Sequence, residues 1–315
     1  MMMDAKALLR DHPEWLAHLE SLGGLDLAFP DDLPSELLRL AVPHEDVNAV
    51  IATRPEPGGP QWWLAERCAH SLVSTMGGLD GPPPFQPLPE LGPYFYVHVF
   101  LATLPHTRRH HRELGVPEEV SWATFTDLGR NMAVHRKRHG TGGLHAPHWF
   151  MLHARGVLYQ LGRLQFNRCR LGRRTAEAIR GAGLPAAPGD AALGVHVPDF
   201  LGPLTPAACD ASFERARAFF PRHFPDERHP VMTCGSWLLD EQLARYLPAD
   251  SNIMAFQRRF RLLHRLDDSG MLEFVYGRDA ADPARLPRRT RLERAVADHL
   301  AAGGTWYGRT GWLPF

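Results

Sequence analysis

The period of the apolar positions changes about half-way along the chain. Residues 4–22 carry Leu8, Leu9, Trp15, Leu16 and Leu19 at helical spacing behind an N-cap at Asp4, and Pro13 divides the stretch or opens a second helix. Further helices are predicted over 34–40 and 60–76, separated by the Pro/Gly-rich turn 54–60, with a linker at 80–84. Residues 93–104 are apolar on every side, so period alone does not assign them; their helical surroundings favour a buried helix. A short helix ends near Gly115. A longer one over 118–139 stops at Gly140, with Arg136, Lys137 and Arg138 in its last turn, where they complement the helix dipole. The chain therefore reads as helical up to Gly140.

Beyond Val157 the period shortens. Over 157–171, Leu158, Leu164 and Phe166 fall on one parity and Arg163, Gln165 and Asn167 on the other, the alternation of a half-buried strand. After a Gly/Ala/Pro-rich loop at 181–190, Val195 and Val197 flank His196 in a strand over 193–197 that Pro198 ends. Thr205-Pro206 then reads as an N-cap and first helical residue. Phe213, Ala216, Phe219 and Phe220 form the buried stripe of that helix, and 231–239 returns as a strand. An element at 240–247, a helix over 251–266 (Ile253, Phe256, Phe260, Leu263) and a strand over 271–276 follow. Thr290 and Glu293 make a capping box for a helix ending at Gly303-Gly304, and 305–315 adds a final strand. A strand feeding a helix N-terminus presents backbone N–H groups, so the 194–206 junction is the first candidate for a ligand site.

Composition narrows the classes. A chain of 315 residues favours two domains, and 44% hydrophobic against 22% charged residues excludes a disordered chain. Thirty-five basic residues balance 35 acidic ones, which argues against a general nucleic-acid binder. No apolar run approaches a membrane span, and Met1–Asp4 lacks the order of a secretion signal. Cys68, Cys169, Cys209 and Cys234 show no C-x-x-C spacing, so neither zinc nor a disulfide framework is indicated and a reduced, cytoplasmic setting is expected. The histidines invite a metal reading, yet His135 and His139 enclose no glutamate, and no metal is expected. The basic stretches 106–112 and 130–138 read as a solvated face, with docking of an anionic donor or carrier as the functional alternative.

Several phrases of the second half carry a resemblance. They are Leu161-Gly-Arg-Leu-Gln-Phe166, Gly194-Val-His-Val-Pro198 through Gly202-Pro-Leu204, Ser236-Trp-Leu-Leu-Asp240, Ser251-Asn252, Phe256-Gln257 and Phe274-Val-Tyr-Gly277. Together the chain resembles bacterial acyltransferase-domain proteins that pair an N-acyltransferase N-terminal domain with a GNAT-like C-terminal domain. The resemblance implies an α/β (α+β) protein: a helical domain over 1–120, then a GNAT-like mixed-sheet domain over 121–315. It also implies acyl-CoA or acetyl-CoA as co-substrate, with an acyl carrier protein as the alternative donor, and direct attack by a small-molecule amine.

Carried onto this sequence, the resemblance makes Val195 and Val197 the strand edge beside the donor. Gly202, Leu204 and Thr205 then form the phosphate-facing turn, and Asn252 lies beside the donor arm. The loop departs from the family's Gln/Arg-x-x-Gly-x-Gly/Ala pattern, because Pro203 and Pro206 remove two N–H donors. Acyl transfer needs a neutral amine, oxyanion donors and a protonated or tolerated thiolate. His196 is the expected general base; its bland reading is a sheet hydrogen bond. Cys234 is a covalent nucleophile or a small buried hydrophobe. Ser236 serves the thioester or bonds backbone, and Tyr246 is an acid or a half-buried helix tyrosine. Arg163 and Gln165 line an acceptor pocket or face water. The rival functions are a non-catalytic acyl-CoA-binding or regulatory protein and a Cys234-dependent acyltransferase or thioesterase.

Overall fold

The computed structural model describes residues 6–266, 270–277 and 282–315; the expected Asp4 cap lies outside them. The chain forms two compact units, Met1–Gln160 and Leu161–Phe315. The division falls at 160/161 rather than at the expected 120/121, because the helices after residue 118 pack into the first core.

In the first unit the chain runs α1 (Pro13–Ser21), α2 (Leu33–Arg39), α3 (His44–Ala52), α4 (Trp62–Ser74), α5 (Phe95–Glu113), α6 (Glu118–Phe125), α7 (Asp127–His139) and α8 (Pro147–Ala154). Pro13 occupies the first turn of α1, where its missing N–H costs nothing. The apolar stretch 93–104 is the first half of α5, buried from Phe95 to Leu104. A helix apolar on all sides belongs at a centre, and Phe100 and Phe150 meet edge to face there at 4.8 Å. The predicted 118–139 helix is two helices, broken at Thr126, whose hydroxyl turns back to the Ala123 carbonyl. Helices α3 and α8 were not anticipated.

Asp127, His153 and His111 are buried in this core and have side-chain partners. Asp127 accepts from Arg130 Nε at 2.8 Å and Asn131 Nδ2 at 2.9 Å and lies 3.0 Å from His153 Nε2. Burial pushes its carboxyl up, but the neighbouring His153 and Arg130 outweigh that and hold it at about 2. His111 bonds Ser121 at 2.9 Å and stacks on Phe125.

The second unit carries β1 (Leu158–Leu161), β2 (Leu164–Arg170), α9 (Arg173–Gly181), β3 (Ala191–His196), α10 (Pro206–His223), β4 (Val231–Ser236), α11 (Asn252–Gln257), β5 (Arg261–Leu266), α12 (Met271–Tyr276), α13 (Arg291–Ala301) and β6 (Gly308–Pro314). β1 begins within the last residues of the first unit. Among the described residues six strands form one sheet in the order β1-β2-β3-β4-β6-β5. β3 and β4 run parallel, while β2–β3, β4–β6 and β5–β6 are antiparallel. On one face Phe166 packs against Phe213 and Phe220 of α10. On the other, Ala192, Val231 and Trp312 pack against Ala176 and Ile179 of α9.

Several elements of this unit differ from the pattern-based reading: 157–171 is two strands, β1 and β2, and α9 has no predicted counterpart. The predicted helix 251–266 is α11 followed by β5: Phe256 and Phe260 stay packed at 5.1 Å, but the chain turns after Gln257. Residues 271–276 are helical rather than extended. Gly270 and Gly277 flank them in left-handed conformation, and the Gly277 N–H caps the Glu273 carbonyl. The strand over 231–239 stops at Ser236, and Trp237–Leu239 form a 3-10 turn. Residues 240–247 hold a second such turn, Glu241–Arg245. Among the described residues no helix is long and apolar enough to cross a membrane.

Candidate active site

The junction after β3 is organised by a parallel pair that parts. Among the described residues, β3 and β4 are in register only at Leu193↔Met232 and Gly194↔Thr233. Val195 and His196 on β3, and Cys234 to Ser236 on β4, keep their outer partners β2 and β6 but not each other. The parted edges carry backbone donors and acceptors that an extended ligand can pair.

Alternation decides what each face of this opening presents. Val195 is buried among the phenylalanines on the α10 side. His196 points the other way, half-buried, across from Gln165 on β2. On that face β4 contributes the half-buried Thr233 and the exposed Gly235. His196 Nε2 lies 2.7 Å from Asn167 Oδ1. Parity grouped Asn167 with Arg163 and Gln165, but its contact to His196 depends on strand register, which no local pattern encodes.

The loop following β3 is held from outside. Arg163 donates from Nε to the Gly202 carbonyl and from Nη1 to the Pro198 carbonyl, both at 3.0 Å. Its guanidinium thus clamps both ends of the turn. Phe200, exposed, adopts φ 59° and Gly202 φ 75°; the left-handed region suits the glycine and strains the phenylalanine. Leu204 is buried, and Thr205 caps α10 by accepting from the Ala208 N–H at 3.2 Å. Arg259 donates to the Pro206 carbonyl at 3.1 Å and pairs with Asp210. Beside it lies a cavity of about 250 Å³ lined by Asp210, Phe213, Glu214, Arg217, Arg259 and Leu313.

The remaining sequence candidates have other surroundings. Cys234 is 2% exposed, and burial pushes its thiol up to about 12, so the nucleophilic thiolate is suppressed. Ser236 Oγ accepts from the Leu238 N–H at 3.1 Å, capping the 3-10 turn. The Tyr246 hydroxyl lies 3.0 Å from His299 Nδ1 in a separate cluster with Trp306, so its hydroxyl is engaged there. Asn252 opens α11, whose cap is Ser251. Val197 is half-buried just past the end of β3, and Gln165 is buried on β2.

Two residues of the recognised phrases are supports that pattern reading did not select. Buried Asp240 accepts from the Gln242 N–H at 3.0 Å and the Tyr307 N–H at 2.8 Å. Gln257 Nε2 donates to the Leu238 and Asp240 carbonyls at 3.2 and 2.9 Å. Together they fix the turn at which β4 leaves the sheet. Among the described residues no three His, Cys, Asp or Glu side chains are grouped as metal ligands.

A parted parallel pair with a capped helix after the first strand defines a GNAT-like acyl-transfer domain. Residues 158–313 match the GNAT-like C-terminal domain and residues 31–156 the N-acyltransferase N-terminal domain. The chain belongs to the acyltransferases that join these two domains, and it is an enzyme of that class. Among solved structures it is similar to an acyltransferase in complex with decanoyl-CoA and teicoplanin, at 38% identity and TM-score 0.85 over 99% of each chain. It is equally similar to an acyltransferase in complex with CoA and 10C-teicoplanin, at 38% identity and TM-score 0.86 over 99% of each chain. An acyltransferase mutant bound to octanoyl-CoA matches at 38% identity and TM-score 0.86, over 99% of this chain and 100% of that one. No curated protein matches the chain.

Proposed function

We propose that this enzyme transfers a medium-length acyl group from acyl-CoA to a primary amine on a small glycopeptide-like acceptor. The observation that carries the reading is the parted β3–β4 pair with His196 at its mouth. The acyl-CoA and teicoplanin complexes of neighbours 38% identical over 99% of the chain support CoA rather than an acyl carrier protein as donor. They support a glycopeptide as acceptor class in the same way.

In this mechanism the thioester enters the opening, and its carbonyl oxygen turns to a backbone N–H of the Val195–Val197 edge. The acceptor amine arrives neutral, its ammonium proton already released to water, and His196 removes one N–H proton from it as it attacks. The nitrogen bonds the acyl carbon, the C–S bond breaks, and the imidazolium returns a proton to the departing thiolate. In this reading Gly202, Leu204 and Thr205 face the donor's phosphates, and Asn252 stands beside its pantetheine arm. Direct attack is favoured over a covalent enzyme because the Cys234 thiol is buried and held protonated. The cytoplasm, where acyl-CoA is available, is the proposed compartment.

The test is CoA release with decanoyl-CoA in the presence and absence of teicoplanin-type amines, together with the mass of the acylated product. Amine-dependent release is expected, and His196→Ala should lower kcat by ~10²–10⁴. Decanoyl-CoA binding without release in any amine's presence would turn the reading to a binding protein. A fully active His196→Ala enzyme with unaltered pH dependence would remove the base.

A further inference from the structure

Asn167 and His196 project from adjacent strands onto one sheet face, with Gly194 between them in register. Gly194 is the β3 partner of Asn167, and His196 follows it on the same side. A Cβ on Gly194 would stand 2.0 Å from Asn167 Oδ1 and 3.0 Å from His196 Nε2. No side chain fits there while the amide crosses to the imidazole, so the missing side chain of Gly194 makes the slot that the amide fills.

The orientation of the amide is set as well. Asn167 Nδ2 donates to the Arg168 carbonyl at 3.2 Å, which turns Oδ1 toward His196 Nε2 at 2.7 Å. An amide oxygen only accepts, so the Nε2 of a neutral His196 carries the hydrogen and its Nδ1 carries the lone pair. The partner is also uncharged. A carboxylate in its place would fix the same tautomer but stabilise the imidazolium, raising the pH needed to free the base.

We propose that Asn167, seated over Gly194, is the positioning residue of the transfer reaction: it fixes His196 as the Nδ1 base and keeps that base neutral. This rests on the reading of His196 as general base, and it deepens that reading by assigning the nitrogen and the device that selects it.

The test is ¹⁵N spectroscopy of histidine-labelled enzyme, with the His196 signal assigned by its loss in His196→Gln, alongside the pH profile of kcat/KM. The wild-type signal should show hydrogen on Nε2. Asn167→Ala should give a tautomer mixture and lower kcat ~10–100-fold with KM for decanoyl-CoA nearly unchanged. Asn167→Asp should keep the tautomer and move the acid limb of the profile upward by about one pH unit or more. Gly194→Ala should reproduce the Asn167→Ala tautomer mixture. If Asn167→Ala keeps the wild-type tautomer and profile while His196→Ala is inactive, the positioning role is overturned and the base stands. If His196→Ala itself keeps activity and profile, the underlying base reading fails instead.

Discussion

Acidification from pH 7.5 to 5 should destabilise this protein through two imidazoles buried in the helical unit. His98 is 1% exposed, and burial, with Arg54 nearby, brings it down to about 4. His111 is also 1% exposed, and burial, with His110 and Arg108, brings it to about 3. Both are lowered from 6.5, so between roughly pH 6.5 and those values the unfolded chain binds protons that the folded chain refuses. Stability is therefore fully present above about pH 7 and lost as pH falls toward the folded values. With 1.36 kcal/mol per pKa unit, each imidazole accounts for about 2 kcal/mol of loss by pH 5, a large share of an ordinary folding free energy. Urea unfolding followed by far-UV circular dichroism at both pH values measures this in the wild type, in His98→Gln and in His98→Gln/His111→Gln. The loss on acidification should shrink stepwise, by about 2 kcal/mol per substitution. A double variant that loses as much as the wild type would refute the argument.

Three further outcomes follow from the site. Cys234→Ala should keep kcat within about twofold, since a thiol pushed up to about 12 supplies no thiolate near neutral pH; near-complete loss of turnover would reinstate the covalent route. Arg163→Ala should release the Pro198 and Gly202 carbonyls, raising KM for decanoyl-CoA about tenfold with a smaller change in kcat and speeding proteolytic cleavage between them. Unchanged KM and cleavage would dismiss the clamp. Tyr246→Phe should cost about 1 kcal/mol of stability through the lost His299 contact and leave kcat in place; a hundredfold drop in kcat would make Tyr246 the acid after all.

What the linear pattern revealed depended on how local each feature is. The strand at His196, the Thr205 cap and the Thr290 capping box rest on neighbours in sequence, and all three appear as expected. The helix at 271–276 escaped because six residues hold less than two turns, and Phe274, Val275 and Tyr276 suit strands as well; the flanking left-handed glycines decide it. Over 251–266 the helical spacing of Phe256 and Phe260 is satisfied by packing across a turn, so the period outlasts the helix. Within the site, His196 was legible as a polar residue on an apolar strand. Asn167 and Gly194 were not, because they meet it only through the β2–β3 register. Arg163 faces the loop carbonyls for a similar reason: its partners lie some way along the chain.

The place of β6 in the sheet has a consequence for biosynthesis. Residues 308–314 lie between β4 and β5, so a nascent chain that has not yet released them has no shared partner for those two strands. Until then β4 is joined to the sheet by its two-residue register with β3 alone. The opening proposed to receive the donor thus acquires rigid walls only once β6 has been delivered, and until then the bare edge of β4 is the surface that chaperones have most reason to shield.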